Sequence, residues 1–188
     1  RRQRQMCIRD SMIADPRVRG ISLTGSERAG SSVAETAGRN LKKVVLELGG
    51  SDPLIVLDDA DIDQVARTVA KARLSNTGQA CNSPKRIIVP NRHVDSFVST
   101  ISAAFSQASV GDPTDPEVQV GPLSSVTARD NVVAQVQDAV EQGATLHTGG
   151  RSSDGPGAFM EPAVLTGVTP KMDAYSEEIL SLIHISEP

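Results

Sequence analysis

The sequence predicts an α/β protein built on a largely parallel sheet. Two observations carry that expectation: short runs rich in β-branched residues alternate with segments whose apolar residues recur at helical spacing, and turn-forming residues separate them. Ile21-Ser22-Leu23-Thr24 alternates apolar and polar residues as a half-buried strand does, and it runs through Gly25-Ser26 into a helix marked by Val33, Ala34 and Ala37. Val44-Val45-Leu46-Glu47-Leu48 is the next strand, stopped by Gly49-Gly50, and Leu54-Ile55-Val56-Leu57 is a third, led in by Pro53. Asp61 is placed to cap a helix that aligns Ile62, Val65, Ala66 and Val69 on one face and runs towards Leu74, where Asn76-Thr77-Gly78 ends it. A loop carrying Cys81 follows. Arg86-Ile87-Ile88-Val89 reads as a strand, and Phe97, Val98, Ile101 and Phe105 mark a helix from Val94 to about Ser109. Beyond the turn at Gly111-Asp112-Pro113, Val133, Val136 and Val140 give another helix, ended by Gly143. Ala144-Thr145-Leu146-His147 and Pro162-Ala163-Val164-Leu165 are short strands.

Composition bounds the function classes. The chain has 188 residues, 38% hydrophobic and 22% charged, enough apolar content for a sizeable core. A net charge of -4 and a pI near 5.4 argue against nucleic-acid or anionic-membrane partners, which such a surface would repel. No apolar run reaches the roughly 20 residues that span a bilayer, and no secretory signal is legible, so the cytoplasm is the expected location. Two cysteines, Cys7 and Cys81, give no disulfide framework.

Both ends stand apart from the rest. Arg1–Ser11 is a basic Arg/Gln-rich run, and Leu180–Pro188 breaks off in mid-pattern. Met6-Cys7-Ile8-Arg9-Asp10-Ser11 can be encoded by DNA whose reverse complement encodes Leu180-Ser181-Leu182-Ile183-His184 and opens Ile185. That inverted repeat resembles the translated adapters of transposase-based sequencing libraries. Residues 1–11 and 180–188 are therefore expected to be extraneous and are set apart from the fold. Cys81 is then the sole native cysteine.

Three local features carry chemistry. Thr24-Gly25-Ser26 joins a strand to a helix, where free amides and a partial positive charge of about +0.5 suit a phosphate. Any strand-to-helix turn can use Gly-Ser, and no Gly-x-Gly-x-x-Gly fingerprint is present. Glu47 closes an apolar strand beside Gly49-Gly50, either as a solvated carboxylate or as a general base tuned towards neutrality by partial burial. Cys81 sits among small and turn-forming residues rather than in an apolar run, a setting that favours a reactive thiol over a packing one. Lys85 and Arg86, at the start of a strand, read as structural or surface cations rather than a substrate clamp. His93 and His147 lack partners at metal spacing, so no metal site is expected.

Taken together, Leu23-Thr24-Gly25-Ser26, Leu46-Glu47-Leu48-Gly49-Gly50 and Gly78-Gln79-Ala80-Cys81, in this order and spacing, resemble the aldehyde dehydrogenase superfamily. The likeness continues through Lys85-Arg86, Gly111-Asp112-Pro113, Gly121-Pro122-Leu123, Gly149-Gly150 and Tyr175-Ser176-Glu177-Glu178-Ile179. It implies part of that fold: residues 12–49 as the C-terminal part of a Rossmann-like NAD(P)-binding domain, and 50–179 as most of an α/β catalytic domain. It implies Cys81 as the nucleophile that attacks the aldehyde and Glu47 as the base that activates water for thioester hydrolysis. It further implies that Thr24, Gly25, Ser26, Gly30, Leu48, Gly49 and Glu178 serve the cofactor, NAD or NADP, with Glu178 on the nicotinamide ribose. The family motif continues with Phe-Gly-Pro after Ile179, where this sequence turns to Leu180-Ser181-Leu182. Gln79 to Arg86 and the stretch around Tyr175 are similar to succinate-semialdehyde dehydrogenases, which implies a small acid-bearing aldehyde as substrate and a homo-oligomeric parent, dimer or tetramer. Retention of Cys81 and Glu47 weighs against two rivals, a non-catalytic relative with a structural or binding role and a CoA-acylating relative. The segment alone is expected to be inactive.

Overall fold

The computed structural model describes residues 2–180 and 183–187. Of the two terminal segments set apart above, Arg1, Ser181, Leu182 and Pro188 lie outside the described residues. The chain divides into two compact units, Arg1–Gly49 and Gly50–Pro188.

The first unit contains α1 (Arg2–Ala14), β1 (Gly20–Thr24), α2 (Glu27–Arg39) and β2 (Lys43–Glu47). Its two strands run parallel, pairing Ile21 with Val44 and Thr24 with Glu47. Gly30, Val33 and Ala37 fall on one face of α2, and that face is buried. Val33 and Ala37 pack with Ile13 of α1 against Ile21, Leu23 and Val44 of the strands. The return from α2 to β2 passes through Leu41 at φ 52, and Lys42 secures it by donating from Nζ to the carbonyls of Asp15 and Val18 at 3.0 and 2.7 Å.

The second unit contains β3 (Pro53–Ile55), α3 (Ile62–Leu74), a 3-10 turn (Ser75–Gly78), β4 (Arg86–Ile88), α4 (Val94–Ser106), α5 (Val126–Glu141), β5 (Thr145–Thr148), β6 (Ala163–Thr166), α6 (Asp173–Ser176) and β7 (Ile183–Glu187). The strands form one sheet in the order β3-β4-β7-β6-β5, parallel except that β5 runs antiparallel to β6. Alternation along β6 sends successive side chains to opposite faces. Val164 joins the core of α3 and α4, built on Val69, Ile87, Phe97, Ile101 and Phe105. Ala163 and Leu165 join the core of α5, with Val132, Val136 and Met160.

Several expected boundaries move by a few residues. Asp61 caps α3 as expected, its carboxylate accepting from the Gln64 amide at 3.0 Å. Helix α4 stops at Ser106 rather than near Ser109, because the Ser109 carbonyl accepts the amides of Gln119 and Val120 while Val110 bridges to Val120. Helix α5 begins before its first apolar marker, at a cap made by Ser125 on the Ala128 amide. Gly149 has a structural duty: at φ 62, a side chain there would bring Cβ to 1.9 Å from the Pro162 carbonyl oxygen. Strand β7, drawn from the segment set apart in the sequence, lies between β4 and β6. Among the described residues no helix is long and apolar enough to cross a membrane.

Candidate active site

In the first unit the parallel register places Thr24 and Glu47 side by side at the carboxyl ends of β1 and β2, where α/β sheets place ligands. The Gly25 amide donates to the Glu47 carbonyl at 3.0 Å, tying the turn to the end of β2. Ser26 caps α2, its Oγ accepting from the Ala29 amide at 3.3 Å, and the Gly30 amide bonds the Ser26 carbonyl at 2.9 Å. The amides of Glu27 and Arg28, in the first turn, have no intrahelical acceptor and face outward from the helix start. Gly25 is not in the left-handed region, and a Cβ there would meet nothing nearer than Ala29 Cβ at 3.9 Å. What this glycine provides is open space in front of the helix terminus rather than a strained turn.

Gly30 has a different reason. A Cβ at this buried position would lie 2.6 and 2.9 Å from the two Cδ atoms of Leu48, so α2 and the chain leaving β2 approach through the missing side chain. Replacing Gly30 with Val is expected to lower stability by about 1–3 kcal/mol through overpacking, read as a fall in the denaturation midpoint. An unchanged midpoint would mean that Leu48 vacates the contact freely. Gly49, half-buried, ends this unit. Glu47 itself is exposed, as the solvated reading of this carboxylate has it and without the partial burial of the other: β2 alternates exposed and half-buried positions, and Glu47 falls on the exposed set.

In the second unit Cys81 is exposed on a turn whose shape is set by strained backbone. Asn76, Thr77 and Gly78 have φ of 51, 59 and 68, three left-handed residues in succession. Asparagine and glycine tolerate that region, but a β-branched threonine there costs about 1–2 kcal/mol. Hydrogen bonds hold the shape. The Asn76 side chain donates to the Gln79 carbonyl at 3.1 Å, and the Gln79 amide returns to the Asn76 carbonyl at 3.0 Å. Gln79 then reaches across to the Gly121-Pro122-Leu123 segment, its Nε2 donating to the Pro122 carbonyl at 3.3 Å and its Oε1 accepting the Ser124 amide at 2.8 Å. Ser83 closes the turn onto the Ala80 carbonyl at 3.0 Å. Among the described residues no acceptor takes the Cys81 amide, so that N–H is available beside the thiol.

Glu178, half-buried, lines a cavity of about 460 Å³ with Asn131, Gln135, Glu177 and Leu180. This carboxylate is a candidate from the sequence alone, but what holds its segment is not visible there. Arg73 is 1% exposed and Lys85 2% exposed. Arg73 was legible only as one more position of an amphipathic helix, and no local signal marks it as buried. Arg86 lies over the Tyr175 ring, 4.5 Å from its centre, and donates to the Tyr175 hydroxyl at 3.2 Å. His147 pairs with the Thr166 hydroxyl across β5 and β6, and His93 accepts from Arg92. No group of three or more His, Cys, Asp or Glu among the described residues is arranged to hold a metal.

Comparison with known proteins identifies the family. The model of the aldehyde dehydrogenase family matches residues 4–183. The NADP(+) succinate-semialdehyde dehydrogenase of Deinococcus radiodurans is 54% identical over 176 residues, which is 94% of this chain and 37% of that protein. The succinic semialdehyde dehydrogenase of Streptococcus pyogenes, solved with NADP+ as the cofactor, superposes with a TM-score of 0.90 at 45% identity, covering 94% of this chain and 39% of that one. A mutant of aldehyde dehydrogenase C from Pseudomonas syringae, solved with NAD+ and octanal, superposes at 0.89 with 32% identity, over 94% of this chain and 37% of that one. The chain thus spans well under half of the relatives it matches, and over that span it belongs to the aldehyde dehydrogenase family.

Proposed function

We propose that this chain carries the nucleophile and the general base of an enzyme that oxidises succinate semialdehyde, or a similar small aldehyde, to the carboxylic acid with NADP+. The observation that carries the reading is an exposed Cys81 with an unused amide on a braced turn, in a chain 54% identical to an enzyme named for that reaction. The residues present fit a nucleotide: the α2 terminus offers amides without intrahelical acceptors, and Gly25 leaves the space before them clear. Thr24, Gly25 and Ser26 would hold the pyrophosphate there, over the Gly30–Leu48 packing that runs on to Gly49, and Glu178 would hold the nicotinamide ribose.

The chemistry follows from the residue types. The Cys81 thiolate adds to the aldehyde carbon, forming a C–S bond and moving the carbonyl electron pair onto oxygen. The Cys81 amide donates to that oxyanion, a contact worth most where charge develops. When bound, the cofactor accepts the hydride that converts this thiohemiacetal to a thioester. Glu47 then removes a proton from water as the water adds to the thioester carbon. Collapse breaks the C–S bond, releases the acid and returns the thiolate. The reading is tested by following NADPH formation at 340 nm with the complete enzyme, offered succinate semialdehyde beside butanal and octanal. Equal or better use of the uncharged aldehydes would overturn the choice of an acid-bearing substrate.

A further inference from the structure

The Cys81 turn and the Glu178 segment are joined by two buried cations, one on each side of the cysteine in sequence. Arg73, at the end of α3, donates from Nη1 to the Ser83 carbonyl and hydroxyl at 3.0 and 3.1 Å, and from Nη2 to the Ile179 carbonyl at 3.1 Å. Lys85, just before β4, donates from Nζ to the Glu177 carbonyl at 2.6 Å. The two cations thus grip the carbonyls of the residues before and after Glu178, and one of them also grips the turn that carries Cys81.

This arrangement is costly for stability alone. Burial pushes Arg73 down to about 10, and burial together with the neighbouring Arg73 and Arg86 pushes Lys85 down to about 8, offset in part by Glu178 and Glu177. Apolar residues of similar volume usually serve a core as well as or better than desolvated charges. Carbonyl-directed cations do something apolar residues cannot: they fix the position of individual peptide units.

We propose that Arg73 and Lys85 are positioning residues that make the Cys81 turn and the Glu178 segment one rigid piece, setting the nucleophile and the cofactor-ribose carboxylate in fixed register. This rests on the reading of Glu178 given above. It also carries a pH dependence. Lys85 is faced by Arg73 from α3, by Arg86 from β4 and by Glu177 and Glu178 from the gripped segment, and as pH rises through about 8 it loses its charge and the Glu177 contact weakens.

The test uses the complete enzyme and the variants Lys85→Met and Lys85→Arg. Amide hydrogen exchange of the peptide covering Glu177 to Leu180 is measured without ligand, beside steady-state kinetics in NADP+. Lys85→Met is expected to speed exchange of that peptide and raise KM for NADP+, each roughly tenfold, with little change in kcat, since one charge-assisted hydrogen bond is lost. Lys85→Arg, which keeps a charged donor, is expected to recover most of both. In the unmodified enzyme KM for NADP+ should climb above pH 8, and in Lys85→Arg it should stay flat over that range. Should Lys85→Met fail to fold, the pH series on the unmodified enzyme decides alone, after correction for intrinsic exchange. Exchange of that peptide unchanged by substitution and by pH would overturn the bracing. Faster exchange with KM for NADP+ unmoved would overturn the positioning role. Absence of aldehyde oxidation by the unmodified enzyme would overturn the functional reading instead, leaving the exchange result to judge the brace.

Discussion

Replacing Cys81 with Ala in the complete enzyme is expected to abolish aldehyde oxidation, with kcat/KM falling by a factor on the order of 10⁴ or more, since the covalent route has no substitute nucleophile. The structure makes this a clean experiment. Cys81 is exposed, its side chain takes part in none of the hydrogen bonds that brace the turn, the strained Asn76-Thr77-Gly78 backbone is held by Asn76 and Gln79, and Arg73 holds Ser83. Loss of one exposed sulfur should therefore leave stability within about 0.5 kcal/mol, the usual range for a surface change. Affinity for NADP+, measured by fluorescence titration, is expected to stay within about threefold, because Cys81 is not among the residues assigned to the cofactor. Undiminished oxidation by Cys81→Ala would sink the covalent mechanism. Lost activity together with a lowered denaturation midpoint would instead assign the cysteine a packing role.

Much of the fold was legible because it depends on periodicity. The strand around Ile21, the Asp61 cap and the apolar faces of α3 and α4 are written in local spacing, and the structure places them within a few residues of expectation. The end of α4 moved through partners outside its own segment: no reading of residues 94–109 alone reveals that Ser109 will accept the amides of Gln119 and Val120. The same division separates what was legible in the candidate site from what was not. Cys81, Glu47 and the Thr24-Gly25-Ser26 turn are weak signals singly, and it is their order and spacing together that marks them as candidates. Arg73 and Lys85 carry no such signal, because a cation on a helix or before a strand is usually solvated, and only the partners at Ser83, Glu177 and Ile179, as far as 106 positions away, reveal their burial. Gly30 is intermediate. It fits the helix pattern, yet its necessity comes from Leu48 on the other element.

Replacing Glu47 with Gln is expected to separate the two halves of the reaction. The amide keeps the size and one hydrogen-bonding oxygen of the carboxylate but cannot take a proton from water. Acylation of Cys81 should therefore proceed, and hydrolysis should slow by about 10²–10⁴-fold, the usual contribution of a general base. Rapid mixing should then give one equivalent of NADPH per active site in a fast phase, followed by a slow steady state. The thioester left on Cys81 should be visible as an added acyl mass on its peptide. The position of Glu47 suits this test: it ends β2 on the exposed set of that strand, and its carbonyl rather than its carboxylate holds the Gly25 amide. The substitution should therefore leave the Thr24-Gly25-Ser26 turn in place, and KM for NADP+ is expected to change little. If Glu47 is the base, raising pH should partly restore turnover in the variant, as hydroxide replaces the activated water. A variant with normal turnover and no fast phase would remove Glu47 from hydrolysis and leave the base to another group. A fast phase slowed in step with turnover would place the residue in acylation, as the group that deprotonates Cys81.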